Sequence, residues 1–310
     1  MAEGGDKLKL LVIILNFNSY RDTINLYRLI NDFLAFRKSI LIVDNNSNKI
    51  DQELLKKEIP SKNLIINKKN KGYGSGNNIG LKKAVNESYD YALILNPDIR
   101  LEEKTILELL KELEKDSELV AVGPRICFRN QPELIYSDGG LVNASLGFRS
   151  SHLNYKKNVK DKSLLKKTID YINGSCLMVR ISSLKNIGMF LDTFFLYYEE
   201  TEWCLRAKQL GYKIKVNTNV IAYHSTSNKN GLYHFYMTRN RLLIAKRFNK
   251  YFWRTTKIVL MGLIKESKNV ILSKKQRSPF LIKKFKGFIS GIFSKIERYE
   301  GVFTLSKEQQ

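Results

Sequence analysis

Four short stretches of the 310-residue chain carry residue types that can do chemistry. Asn70-Lys71-Gly72-Tyr73-Gly74-Ser75-Gly76-Asn77-Asn78-Ile79-Gly80 concentrates glycine between an expected strand and an expected helix. Such a loop lets backbone N–H groups approach phosphates or a base, although a plain glycine-rich turn has the same composition. It contains no GxxxxGK[ST] and misses GxGxxG, so neither a P-loop nor a dinucleotide fingerprint is supported. Asn96-Pro97-Asp98 sets one carboxylate just beyond a buried apolar run, and a single carboxylate plus ligand phosphates is a common way to hold Mg2+. A strand-ending turn accounts for the same triplet. Tyr197-Tyr198-Glu199-Glu200-Thr201-Glu202-Trp203 puts three acids in four residues at an expected helix start. Helix-dipole capping explains them, and so does a general base; spacing does not choose among Glu199, Glu200 and Glu202. His224 closes an expected strand, where a neutral imidazole can ligate a metal or simply pack.

The elements that must position these groups are legible as alternation. Strand-like runs LKLLVIIL, SILIV, LII, YALIL and LVAV interleave with helical periods over Arg21 to Phe36, Asp51 to Lys57, Asn77 to Asn86 and Lys104 to Lys115. This predicts βαβ units, a mostly parallel sheet and helices on its faces. Three runs lead straight into polar turns: Asn16-Phe17-Asn18, Asp44-Asn45-Asn46-Ser47 and Asn96-Pro97-Asp98. Loops at the carboxyl ends of parallel strands share one edge, so these groups are expected to converge. Residues 126–180 read as a continuation with a mobile surface loop and a strand over Ile172 to Val179. Further elements are a helix from about Glu200 to Leu210 closed by Gly211, strands near Lys213 to Val216 and Val220 to Tyr223, and helical period again from His234. No internal repeat is evident.

Composition bounds the function class. With 43% hydrophobic residues the chain is neither a mini-protein nor disordered, and its net charge of +23 attracts phosphates, nucleic acid or an anionic membrane. From Arg239 to Arg298 there are 17 Lys and Arg against two acids, interleaved with Phe, Trp, Ile and Leu, which gives the segment an amphipathic character. The expected division is therefore 1–238 as an α/β domain and 239–310 as a basic, helical extension. Cys127, Cys176 and Cys204 form no CxxC pair, which argues against a disulfide framework or zinc site and for a reducing, cytoplasmic setting. The apolar stretches Leu10 to Leu15 and Ile258 to Ile264 are too short for export or for spanning a bilayer. Any membrane contact is thus expected to be peripheral.

The motifs occur in an order that resembles inverting glycosyltransferases of family 2, and in particular the rhamnosyltransferase-like branch. LVIILNFNS, LIVDNNS, NKGYGSGNNIG, YALILNPD, VGPRI, INGSCLMVR, FFLYYEETEWCLRAKQLGYKI, AYH and TRNRLL carry the likeness across residues 9 to 245. The resemblance implies an α/β GT-A fold, Rossmann-like, with a nucleoside-diphosphate sugar as donor. Asn16, Asn18, Asp44 and Asn46, with Lys71, Gly72, Gly76 and Asn77, would embrace the nucleotide, Asp44 meeting the base edge. Asp98 would hold Mg2+ or Mn2+ on the diphosphate, with Asn96 standing where the first acid of a DxD-type motif is usual. His224 would complete that site, and Arg239 and Arg241 would neutralise phosphate.

By the same resemblance Glu200 stands where the catalytic Asp is usual, with Glu199 as substitute. There the helix dipole is expected to favour the ionised carboxylate. The branch points to dTDP-L-rhamnose, with UDP-activated hexose or galactofuranose next, and to a saccharide or lipid-linked acceptor in surface-polysaccharide assembly. The enzyme would work in the cytoplasm, peripheral to the inner face of the plasma membrane, with no nucleic-acid partner. A different-class reading is a degenerate basic module that binds nucleic acid or anionic lipid through its carboxyl-terminal segment.

Overall fold

The computed structural model describes residues 8–225, 229–248, 251–272 and 280–299. The first strand, β1 (Leu10–Asn16), is buried along its whole length. Its odd residues Leu11, Ile13 and Leu15 enter one core, and its even residues Leu10, Val12 and Ile14 enter the other. A strand that alternates between two apolar layers must be covered on both faces, and helices do this. Around it lie α1 (Tyr20–Asn31), β2 (Lys38–Asp44), α2 (Lys49–Glu58), β3 (Leu64–Ile66), α3 (Tyr73–Asn86) and β4 (Tyr91–Leu95). The four strands pair in parallel in the order β3-β2-β1-β4.

The second half is mixed. It contains β5 (Arg100–Leu101), α4 (Glu103–Lys115), β6 (Leu119–Phe128), β7 (Gln131–Ser137), β8 (Gly140–Asn143), β9 (Arg149–His152), β10 (Cys176–Arg180), α5 (Leu184–Ile187), α6 (Glu199–Gln209) and β11 (Lys213–His224). β10 inserts antiparallel between β4 and β6, and β11 continues parallel to β6. α4 buries Ile106, Leu109, Leu110 and Leu113, the spacing of one helix face.

The α/β class and the helix-flanked sheet agree with the sequence reading, while several boundaries differ. α1 stops at Asn31 rather than near Phe36, because the chain must turn back into β2 at Lys38. The expected strand at 172–179 begins at Cys176, which leaves Ile172 to Ser175 as a loop. The two short strands expected over 213–223 are one, β11, with a register break between Asn217 and Ile221. The continuation expected over 126–180 carries three strands that were not expected, β7, β8 and β9. Its buried Asp138 accepts both Arg125 Nε at 2.7 Å and Arg125 Nη2 at 2.8 Å.

Three helices follow: α7 (Gly231–Arg247), α8 (Phe252–Leu272) and α9 (Leu281–Phe293). Leu242, Val259, Leu263 and Phe288 form a small core among them. Residue 239, where the charge balance shifts, lies in the middle of α7. Among the described residues no helix is long and apolar enough to cross a membrane.

Candidate active site

The loops that leave β1, β2 and β4 lie at one edge of the sheet, but their side chains divide into builders and groups with spare capacity. Asn16 is fully buried and donates to Asp44 Oδ1 at 2.7 Å and Ser47 Oγ at 3.0 Å, while its own oxygen accepts Thr23 Oγ1 at 2.7 Å. Asp44, equally buried, also accepts Ser47 N at 3.0 Å, Ser47 Oγ, and Gln52 Nε2 at 3.2 Å. A base edge reaches Asp44 only by replacing one of these donors, and Gln52 is the longest-held. Asn18 and Asn46 are exposed and take left-handed backbone angles, φ 52° and 64°. Asn18 Oδ1 accepts from Asn48 N and Nδ2 at 2.9 and 3.0 Å, which locks the two loops together.

The glycine-rich segment proves to be mostly helix. α3 begins at Tyr73, so Gly74, Gly76 and Gly80 lie within it rather than in a loop around phosphate. A Cβ on Gly76 would come 2.4 Å from Leu15 Cδ1, and one on Gly80 2.6 Å from Ile13 Cδ1. These glycines let α3 lie directly on β1. Only Gly72 needs its conformational freedom: its φ is +94°, and a Cβ there would meet Phe195 O at 2.2 Å. Tyr73 N donates to that same oxygen at 2.6 Å, and Asn45 Nδ2 donates to Gly72 O at 3.0 Å. The glycine motif is thus docked against the segment that carries the acids, with Lys71 exposed beside it.

That segment is strained. Phe195, Tyr197 and Tyr198 all have positive φ (62°, 67° and 74°), immediately before Glu199 and Glu200 open α6. Such conformations cost about 1–3 kcal/mol each and persist only where the surroundings hold them. The holder is α7. Buried Asn240 donates through Nδ2 to Phe194 O, Leu196 O and Tyr197 O at 3.1, 2.8 and 2.7 Å. Arg239 donates to Thr193 O at 2.9 Å and Phe194 O at 3.3 Å. Arg241 donates to Gly147 O at 3.0 Å and Leu146 O at 2.7 Å. These donors meet main-chain carbonyls, so Arg239 and Arg241 build the loops beside the acids. Asn240, inside the TRNRLL motif, was not singled out by sequence, although its position next to Arg239 was the available signal.

Asn240→Ala is expected to destabilise the fold by about 1–3 kcal/mol by orphaning those carbonyls. It should also lower kcat by about 10- to 100-fold through displacement of the acids. Thermal unfolding with steady-state kinetics checks both; a variant with wild-type kcat would mean that the acids need no such support.

The three acids part company. Glu202 is fully buried between Arg206 (Nε to Oε1 3.0 Å, Nη2 to Oε2 2.9 Å) and Arg247 (Nε to Oε1 3.2 Å), so it is a structural ion-pair centre tying α6 to α7. Glu199 is buried and Glu200 partly exposed, and each has an Oε2 without a hydrogen-bond partner. Burial first, and the charge of Glu200 second, push the Glu199 carboxyl well above its usual range. Burial pushes Glu200 up to about 7. The dipole of α6 was expected to favour their ionised forms, but desolvation outweighs it.

On the opposite side, Asn96, Asp98 and His224 are brought together as expected. Asp98 Oδ2 lies 3.3 Å from His224 Nε2 and accepts Ser225 N at 3.1 Å, while Asn96 Nδ2 is 3.4 Å from His224 Nε2. Among the described residues no cluster of three or more His, Cys, Asp or Glu could hold a metal by itself. One carboxylate oxygen and one imidazole nitrogen nevertheless suit a hard divalent cation that takes its other ligands from phosphates and water. Tyr136 packs beside this pair, its ring centroid 5.7 Å from His224 and 4.8 Å from His152. Tyr155 lies 6.0 Å from Tyr136, and Tyr197 lies 5.3 Å from Tyr233. Burial, with His224 and Lys229 nearby, lowers His152 to about 4, so it is a neutral ring in this wall.

The unsatisfied groups mark the site. Buried polar atoms in folded proteins are nearly always paired. Among the described residues, seven buried side-chain polar atoms lack a partner, and six belong to Ser75, Asn77, Ser175, Glu199, Glu200 and His224. All six sit on the elements that meet here. Ser175 belongs to the Ile172–Ser175 loop, which Tyr73 Oη reaches by donating to Gly174 O at 2.6 Å.

A family model described as glycosyl transferase family 2 matches residues 11–188. The low-salt glycan biosynthesis hexosyltransferase Agl10 of Haloferax volcanii is 29% identical over 265 residues, 82% of either chain. The rhamnosyltransferase WbbL of Escherichia coli (strain K12) is 26% identical over 64% of this chain and 74% of its own. The dTDP-rhamnosyl transferase RfbF of Shigella flexneri is 20% identical over 86% and 90%. In structure, GalNAc-T7 with UDP, GalNAc and Mn2+ superposes with a TM-score of 0.61 at 15% identity. That match covers 92% of this chain and 54% of the GalNAc-T7 chain, and it bears on the fold alone.

Proposed function

The chain belongs to glycosyltransferase family 2 and has the GT-A fold, and from this premise we propose that it transfers a sugar, with inversion, from a nucleoside diphosphate to an acceptor hydroxyl. The observation that carries the reading is the group of six orphaned polar atoms on converging elements, with a carboxylate–imidazole pair on one side and a poised carboxylate on the other. Glu200 takes the proton from the acceptor hydroxyl as that oxygen attacks the anomeric carbon. The bond to the departing diphosphate breaks on the opposite face, so a single displacement inverts the centre. Asp98 and His224 would hold a divalent cation, which when bound offsets charge on the leaving diphosphate. Glu199, kept neutral by burial, adds no second charge beside the base.

The donor in this reading is dTDP-L-rhamnose, supported by the rhamnosyltransferases among the relatives. UDP-hexose is the second reading, favoured by the hexosyltransferase. The acceptor is a lipid-linked or oligosaccharide glycan of a surface polysaccharide. The wall of Tyr136, Tyr155, Tyr197 and Tyr233 offers flat apolar faces of the kind that accept sugar rings. The basic carboxyl-terminal helices would hold the enzyme at the cytoplasmic, anionic face of a membrane.

A panel of dTDP-, UDP- and GDP-activated sugars with Mn2+ tests the donor. The expected result is a rise in Tm with dTDP-L-rhamnose, about 2.7 kcal/mol of stabilisation at 100-fold excess over Kd, together with slow release of dTDP. A larger shift with a UDP-hexose moves the donor assignment. No shift with any activated sugar overturns the reading.

A further inference from the structure

Away from the acids, the end of α7, the start of α8 and the segment after α9 border an open cavity of about 620 Å³. Its volume falls in the roughly 300–1,000 Å³ range of small-molecule sites. Lys246, Arg254, Lys295 and Arg298 line it, and no acid is among its described lining residues, which selects an anion. Lys246 is already used, donating to Ile292 O at 2.8 Å and Ser294 O at 2.7 Å at the end of α9. The exposed Arg254, Lys295 and Arg298 are the groups left for a ligand.

The rim says what kind of anion. Trp253 and Phe293 both line the cavity, and each remains 78% exposed. They begin and end two stripes of exposed apolar residues: Trp253, Leu260, Ile264 and Ile271 on α8, and Ile282, Ile289 and Phe293 on α9. In both helices the spacing of seven and four residues keeps the stripe on one face, with Lys257, Lys268 and Lys286 interspersed. A basic pocket opening between two apolar stripes fits a headgroup whose acyl chains continue into a bilayer; a phosphate free in water has no use for the stripes.

We propose that this cavity is a phospholipid-headgroup site, in which Arg254, Lys295 and Arg298 hold the phosphate while Trp253 and Phe293 enter the interfacial layer. The proposal rests on the membrane reading above and adds the place and chemistry of attachment. α7 links the cavity to the acidic segment: Lys246 lies six residues, about 9 Å of helix, beyond Asn240, which holds the strained segment before the acids.

The test uses the full chain with vesicles of phosphatidylglycerol and phosphatidylcholine mixed, against phosphatidylcholine alone, at physiological salt. Trp203 is 1% exposed, so a change in tryptophan emission on binding reports Trp253. The expected results are sedimentation with the anionic vesicles and a blue-shifted emission. Arg254→Glu/Lys295→Glu/Arg298→Glu should lower vesicle affinity about tenfold or more, given the contribution of each basic residue at an anionic surface. The control Lys56→Glu/Lys57→Glu/Lys62→Glu makes the same change in net charge on exposed residues of α2 and the chain just after it, and should lower affinity far less. Equal losses in the two variants, both with wild-type circular dichroism, overturn the pocket but leave membrane attachment standing. Wild-type protein that ignores anionic vesicles overturns both. An unshifted tryptophan emission, or competition by millimolar inorganic phosphate with Trp253→Ala binding normally, assigns the pocket to free phosphate and overturns the lipid. Tighter binding to duplex DNA than to the vesicles also overturns it.

Discussion

Glu200→Gln is expected to lower turnover by about 100-fold or more while donor binding is retained, the loss typical when a general base is removed. Gln keeps the shape and abolishes proton acceptance, so a structural role for Glu200 would leave the rate largely intact. The environment adds a pH signature. Burial holds the Glu200 carboxyl up at about 7, and the base must be ionised to act. The wild-type kcat/KM should therefore fall about tenfold per pH unit below that point and level off above it. In Glu200→Gln this acid limb disappears with the activity. Glu199→Gln is the paired measurement: Glu199 is buried and already favours its neutral form, so the amide should keep activity within about tenfold. A dead Glu199→Gln beside an active Glu200→Gln would shift the base by one residue. Glu202 is no reserve, because Arg206 and Arg247 occupy its oxygens and its removal would leave two buried cations.

The second large effect is on the other side of the site. Asp98→Ala should lower transfer by about 100-fold or more, the scale of losing electrostatic stabilisation of a developing charge. The fold should survive, since the Asp98 side chain is partly exposed and its partners among the described residues are Ser225 N and His224 Nε2. Calorimetric titration of nucleoside diphosphate with and without Mn2+ provides a readout independent of turnover. Wild type should bind more tightly with the ion, and Asp98→Ala should lose that difference. Full activity of the purified variant in the presence of chelator would remove Asp98 and its cation from the mechanism.

Much of this architecture is carried by local pattern. β1 is apolar at every position from Leu10 to Leu15 because helices cover both its faces, and such a run is readable without neighbours. The turn residues after β1, β2 and β4 likewise announce the sheet edge where Asn16, Asp44 and Asp98 lie. Residues 126–180 show less of their order locally, since it comes from β6–β7 and β8–β9 pairing and from the Arg125–Asp138 pair, none of which has a strong period.

Sequence by itself determined the class of fold, the alternation of strands and helices up to about residue 125, the edge at which polar loops gather and the excess positive charge of the last three helices. These follow from periodicity and composition, which act over a few residues at a time. Tertiary structure decided what each polar group is free to do. It assigned Gly76 and Gly80 to helix–strand packing, Glu202 to two arginines, and Arg239 and Arg241 to carbonyls. It also raised the carboxyls at the head of α6, where the helix dipole alone would lower them. A helix dipole is a property of one helix, whereas desolvation sums over every atom that excludes water from Glu199 and Glu200, and those atoms come from distant parts of the chain.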